Sequence, residues 1–332
     1  MKIQILIASH KSTSIPTDSS MYLPLQVGAE GKEPLSVLTD HPVEDPSSQY
    51  CPEVTFRRDN TGDQISAKNP YYCELTGAYW AWKNLDSDLV GLVHYRRYFS
   101  VEPKSYLKTH AWQDSVLTES ELRSILRSYA DALYGSSASK GDENAMKQLL
   151  SNGLLIVPRK RKYYIETLYS HYSHTLDGRH LDLCRQIIAE RMPEYLDDFD
   201  CVMKQTWGYM WNMMIASRPV YDRYMSWLFS VLEELEKRID LKGLSSFEQR
   251  LFGRVSEILF NVWLHHEMGG KNRQKSDRNQ GTSGVSDASG DSNPGLLLLE
   301  FPVLHTQPEN WPRKIRSFLA AKLFGKKYKA SF

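Results

Sequence analysis

The chain has 332 residues with a formal net charge of +1, enough for one large domain or two modest ones. Its near-balanced charge argues against a general nucleic-acid binder, which carries a strong basic excess. The four cysteines, Cys51, Cys73, Cys184 and Cys201, form no CxxC pair, so neither a zinc site nor a disulfide framework is supported and a reduced, cytoplasmic chain is expected.

Ile3 to Ala8 is a short apolar run predicted as a strand, followed by Ser9, His10 and Lys11. The run is too short for a signal peptide, and no stretch approaches the roughly 18 apolar residues of a membrane span. A first strand ending in small and basic residues is a common opening for a nucleotide-binding α/β domain, the alternative being a plain edge strand. Gly28, in MYLPLQVGAE, either lets a backbone approach a ligand or makes a turn. A polar, proline-bearing stretch over 31–52 is predicted as loop. Neither GxGxxG nor GxxxxGK[ST] occurs, so Rossmann dinucleotide binding and P-loop chemistry have no support.

Asp59-Asn60-Thr61-Gly62-Asp63 is dense in turn formers. Asp59 and Asp63 are candidates for ribose or sugar hydroxyls, or solvated turn residues. Asn69-Pro70 predicts a helix start, with Tyr71, Leu75, Ala78, Tyr79 and Trp82 on one face, Glu74 and Trp80 off it, and an end near Asn84. The next apolar run, Leu89 to Val93, ends abruptly in His94-Tyr95-Arg96-Arg97-Tyr98-Phe99. It reads as a buried strand, and open α/β sheets bind ligands at the carboxyl ends of such strands. Arginine suits bidentate phosphate recognition, so this strand end is predicted to floor an anionic-ligand site.

Thr118 and Glu121 form a capping box before a helix, and Gly135 to Glu143 reads as a surface loop. Leu154 to Val157 is another buried strand with a basic tip, Arg159-Lys160-Arg161-Lys162, and aromatics Tyr163-Tyr164. His171 and His174 share a helical face; they suit a metal pair weakly, a general base or hydroxyl donor better, and a plain structural role best. Asp197, Asp198 and Asp200 are further candidate bases that the sequence does not separate. Tyr209 to Ala216 reads as an apolar strand interrupted by Asn212, which needs a buried partner. Two long helices follow, one from near Pro219 and one opened by a Ser245–Glu248 capping box; Glu257 lies beside the second apolar stripe and reads as a surface residue or a site carboxylate.

Residues 268–295 have linker composition, and Leu296 to His305 reads as a returning strand. The predicted organisation is a main domain over 1–267, the linker, a returning strand of the same domain over 296–310 and a tail over 311–332. The tail contains Arg313, Lys314, Arg316, Lys322, Lys326, Lys327 and Lys329 with no acid, and its apolar residues recur at helical spacing. A basic amphipathic helix of this kind is expected to lie on an anionic membrane surface, the alternative being docking on a protein.

Several of these segments match a known group. Ile5-Leu6-Ile7-Ala8-Ser9-His10-Lys11, Asp59-Asn60-Thr61-Gly62-Asp63-Gln64-Ile65-Ser66, Lys68-Asn69-Pro70-Tyr71-Tyr72-Cys73-Glu74-Leu75-Thr76, Tyr79-Trp80-Ala81-Trp82-Lys83-Asn84 and Gly91-Leu92-Val93-His94-Tyr95-Arg96-Arg97-Tyr98-Phe99 resemble bacterial capsular and exopolysaccharide glycosyltransferases built on a conserved domain of unknown function. The resemblance implies a GT-A-like α/β fold with a mixed, mostly parallel sheet and a helical C-terminal half. It implies transfer of a sugar, galactofuranose or galactose, from a UDP-sugar to a lipid-linked saccharide at the cytoplasmic membrane face. On that basis Ser9, His10, Lys11, Gly28, Asp59, Asn60, Asp63 and Glu74 are expected around the donor nucleotide. His94, Arg96 and Arg97 are expected on its diphosphate, with Asp200 or His171 as base if the reaction inverts. Many GT-A enzymes hold the diphosphate through a metal on Asp-x-Asp. Here the strand end reads His94-Tyr95-Arg96-Arg97, so fixed positive charge stands where that metal would act and metal dependence is in doubt. A non-catalytic saccharide-binding subunit and a nucleotidyltransferase are the rival expectations.

Overall fold

The computed structural model describes residues 1–38, 55–102, 112–135, 141–269 and 295–307. Strands β1 (Ile3–Ser9), β2 (Tyr22–Gln26) and β3 (Arg57–Arg58) precede two short helices, α1 (Asn69–Tyr72) and α2 (Leu75–Asn84). Then come β4 (Leu89–His94), β5 (Arg97–Phe99), α3 (Glu119–Tyr134), α4 (Gly141–Asn152), β6 (Leu154–Pro158) and β7 (Arg161–Lys162). The second half contains α5 (Leu168–Thr175), α6 (Arg179–Arg191), α7 (Leu196–Val202), β8 (Trp207–Gly208), β9 (Met214–Ser217), α8 (Arg218–Arg238), α9 (Leu251–Glu267), β10 (Leu297–Phe301) and β11 (Val303–His305).

The main sheet runs β10-β6-β9-β4-β1-β2-β3, with β5 and β11 hydrogen-bonded at one end of β4. β1 pairs in parallel with β2 and β4, β2 with β3, and β6 with β10. β9 alone lies antiparallel between β4 and β6. The central strands β1, β4, β6 and β9 are largely apolar because both faces are covered. Leu6, Val90, Leu92, Leu155 and Val157 pack towards α2, α6, α8 and α9. Ile5, Ile7, Leu89, Val93 and Ile156 pack towards α3 and α4. Alternate residues therefore serve opposite cores, the period-two consequence of the strand pleat. This is the expected GT-A-like α/β class, a mostly parallel sheet between helical layers.

Four local expectations are corrected. The helix predicted from Asn69 to Asn84 is two helices, because Cys73 adopts φ 53° and ψ −131°. Trp80, placed off the apolar stripe, is buried and donates its indole N–H to the Thr61 carbonyl at 3.0 Å. Tyr209 to Ala216 is not one strand: Trp211 and Asn212 take positive φ, and β9 begins only at Met214. The predicted 135–143 loop already becomes α4 at Gly141, whereas the Thr118 capping box forms with both reciprocal bonds. The expected tail helix and almost all of the expected linker lie outside the described residues. No described helix is long and apolar enough to cross a membrane.

Candidate functional site

The end of β4 is a tight hairpin: His94 pairs with Arg97, and Tyr95-Arg96 form the turn. Phe99, at the end of that motif, is buried in β5. The Tyr95 ring is enclosed by the edge of His10 at 5.3 Å, Lys11 Nζ at 5.1 Å and the Arg96 guanidinium at 5.2 Å. Each cation over the ring contributes about 0.5–1 kcal/mol, so the tip of β1 and the hairpin are held as one surface.

Behind the hairpin, the His94 Nε2 lies 2.5 Å from the Trp211 carbonyl oxygen. A carbonyl only accepts, so Nε2 carries the proton. Burial pushes the His94 pKa below its ordinary 6.5, and the Glu74 carboxylate only partly opposes this. His94 is therefore a neutral donor that positions backbone. Trp211 and Asn212, with φ of 78° and 52°, occupy a conformation that costs non-glycine residues about 1–3 kcal/mol each. The turn is held by Asn212 Nδ2 donating to Glu74 Oε1 at 2.8 Å and to the Gly253 carbonyl at 2.9 Å, and by Ser256 Oγ donating to Asn212 Oδ1 at 3.0 Å. Asn212 thus has the buried partners its place in an apolar run requires. Gly253 also lets the end of α1 approach α9: a Cβ there would sit 3.1 Å from the Cys73 Cβ.

Above the hairpin opens a cavity of about 1400 Å³. Arg96 and Arg97 line its floor, with Arg250 at the N-cap of α9, Arg254 and Glu257 within α9, and Lys160, Arg161 and Lys162 from the β7 segment. Among the described residues, the carboxylates that line it against these cations are Glu74 and Glu257. Arg97 also lies over the Trp211 ring at 5.5 Å, and Arg250 Nε donates to Cys73 Sγ at 3.3 Å. Burial raises the Glu257 pKa and the nearby Glu74 charge raises it further, while Arg254, Arg161 and Arg97 oppose. A carboxyl group whose pKa is raised inside a cationic cavity is suited to proton transfer. Its placement corrects the surface reading of Glu257.

The remaining expected residues separate clearly. His10, Glu74, His94, Arg96, Arg97 and His171 line the cavity. His171 Nδ1 contacts Glu166 Oε2 at 2.9 Å, and the neighbouring His174 contacts the other oxygen at 2.7 Å. Burial lowers the His171 pKa against the pull of Glu166. Lys11 packs on Tyr95 rather than lining the cavity. Ser9 Oγ donates to the Lys11 carbonyl at 2.6 Å and closes the turn after β1. Asp59 is fully buried and accepts from Gly28 N, Ala29 N, Ser66 Oγ and Thr76 Oγ1 at 2.5–2.9 Å. Its carboxylate latches loop to helix and is not presented to a ribose. Gly28 serves the same junction: it has φ 61°, and a Cβ there would meet Asn69 Cγ at 2.4 Å. Asn60 and Asp63 also lie off the cavity, with Asp63 accepting from the Tyr79 hydroxyl at 3.1 Å. Asp200 is held by Arg185 through two bonds of 2.7 Å, which lowers its pKa, and it too lies off the cavity. It is poorly placed as the expected base.

Arg250 and Arg254 were missed by the sequence reading. The available signal was Arg250, Arg254 and Glu257 at i, i+4 and i+7, a charged stripe on a helix otherwise built for burial. Among the described residues, no group of three or more His, Cys, Asp or Glu side chains is placed to hold a metal ion.

Comparison with known proteins places this geometry in context. Residues 4–268 match the family described as a domain of unknown function, DUF4422. Among solved structures, the apo form of the WbbM bifunctional glycosyltransferase is similar, with a TM-score of 0.62 and 24% sequence identity over 93% of this chain. The chain spans 46% of that protein's length, and the likeness is one of fold. No curated protein matches the chain. The chain belongs to the DUF4422 family.

Proposed function

We propose that this DUF4422 member is a glycosyltransferase that uses a nucleotide-sugar donor, and that its cationic cavity is the donor site. The observation that supports this most strongly is the juxtaposition, at the carboxyl ends of β1 and β4, of Arg96, Arg97, Arg250 and Arg254 with Glu257. The fold likeness to the WbbM bifunctional glycosyltransferase is consistent with it. The donor is taken as a UDP-sugar carrying galactofuranose or galactose. The acceptor is a lipid-linked saccharide in bacterial capsule or exopolysaccharide synthesis, at the inner membrane face. The basic segment 311–332 is assigned to that membrane surface.

In the proposed step the acceptor hydroxyl attacks the anomeric carbon while the bond from that carbon to the diphosphate breaks. Glu257 takes the hydroxyl proton, and the leaving diphosphate keeps the electron pair. Arg96 and Arg250 stabilise the charge that builds on it, a task fixed cations perform without reorganising. Neutral His94 holds the Trp211-Asn212 turn in register. His171 borders the same cavity and orients the acceptor.

The test is donor turnover. A UDP-sugar should be consumed only when a saccharide acceptor is present, releasing UDP. A nucleotidyltransferase would instead turn over a sugar phosphate with a nucleoside triphosphate. A non-catalytic saccharide-binding subunit would bind saccharide with no donor consumed under any condition.

A further inference from the structure

The segment between β7 and α5 carries an exposed pair that the catalytic reading leaves unused. Tyr164 is 85% exposed and Ile165 is 65% exposed. They follow four consecutive cations, Arg159, Lys160, Arg161 and Lys162, with no acid from 159 to 165. Lys160 lies 3.8 Å from Glu300; Arg159, Arg161 and Lys162 are exposed beside it.

This exposure is built into the fold. On the upstream side, Arg161 pairs with Gly208 and Lys162 with Trp207, and Tyr163 N donates to the Thr206 carbonyl at 2.7 Å. On the downstream side, Glu166 is buried between His171 and His174, and Thr167 caps α5. Anchored at both ends, the chain turns outward through Tyr164, which takes φ 52°. A bulky residue held in that conformation is strained.

We infer that the tip over 159–165 is a docking surface for an anionic phospholipid bilayer, with Tyr164 and Ile165 entering the interface and the cations meeting the headgroups. The charge complementarity favours a bilayer. Each cation near such a surface is worth about fivefold in partitioning, and aromatic and aliphatic tips beside them settle at the headgroup boundary. Because Tyr163, Tyr164 and Ile165 also border the cavity, docking here turns its mouth to the membrane. The identity of the lipid-linked acceptor rests on the glycosyltransferase reading; the docking itself does not.

Co-sedimentation of the full chain with vesicles tests this. Phosphatidylglycerol–phosphatidylcholine vesicles should bind it and phosphatidylcholine alone should not, with binding falling as salt rises. Tyr164→Gly with Ile165→Ser should weaken binding about tenfold or more, and Ile165→Trp should tighten it. Wild-type chain that ignores anionic vesicles overturns the inference. So does a loop variant that binds like wild type, including where Phe318→Ser with Leu319→Ser in the basic tail abolishes binding instead. A UDP-induced melting shift is recorded on the same samples. A shift without vesicle binding overturns the docking surface alone, and vesicle binding without a shift overturns the nucleotide-sugar reading alone.

Discussion

Arg96 sits in the turn of a two-residue hairpin; its carbonyl accepts from Thr306 N, and among the described residues its side chain packs on the Tyr95 ring. Arg96→Ala should therefore weaken UDP binding about 10–100-fold with little loss of stability, measured by calorimetry beside a thermal melt. Glu257→Gln should leave UDP affinity intact and lower kcat by about 10²–10⁴. The sign of its pH dependence follows from the raised pKa. Glu257 holds its proton to higher pH than an ordinary carboxyl at 4.5, so the rate of a base-assisted step rises with pH through a step above that value. The Gln variant should lack the step. Histidine burial acts on stability instead. The unfolded chain takes up protons at His94 near 6.5, whereas the folded chain resists. This contribution is full above 6.5 and is lost as pH falls below it. Denaturant titrations should show His94→Gln with a shallower loss of stability on acidification than wild type. The two arginines of the hairpin were visible in the sequence because they interrupt an apolar run. Glu257 was ambiguous there, since a helical pattern says which face is buried but not what faces it.

The element scale explains why several expected binding residues proved to be joints. The loop carrying Asp59 and Asp63 reads as polar and exposed, yet Asp59 gathers four donors from three separate segments. Asp59→Ala would leave buried N–H and O–H groups without an acceptor and should cost about 3 kcal/mol or more by chemical denaturation. An ordinary solvated ribose contact at that position would cost almost nothing. Cys73 shows the opposite failure of local reasoning. Nothing in Asn69-Pro70-Tyr71-Tyr72-Cys73 signals a break, because the left-handed Cys73 is selected by packing: Gly253 of α9 and Arg250 at its N-cap close against it. The same tertiary contact brings α9 over the hairpin, so the missed break and the missed arginines share one cause.

At the scale of the whole molecule, the parallel core was the most legible part. β1, β4 and β6 are continuous apolar runs, which is what burial on both faces demands. Short strands such as β8 and β11 owe their existence to neighbours and carry no period of their own. The assembled cavity combines residues from positions 8 to 258, so only its floor was readable as a contiguous motif. Its large excess of cations should make UDP affinity fall steeply as ionic strength rises, more steeply than a site built on one arginine.

The central claim is that this cavity binds a nucleoside diphosphate through its arginines. Calorimetric titration of UDP into the wild-type chain and into Arg96→Ala at low ionic strength tests it most directly. The account predicts saturable binding to wild type that is weakened at least tenfold in the variant. Absence of UDP binding to wild type, or equal affinity in the two proteins, would contradict it.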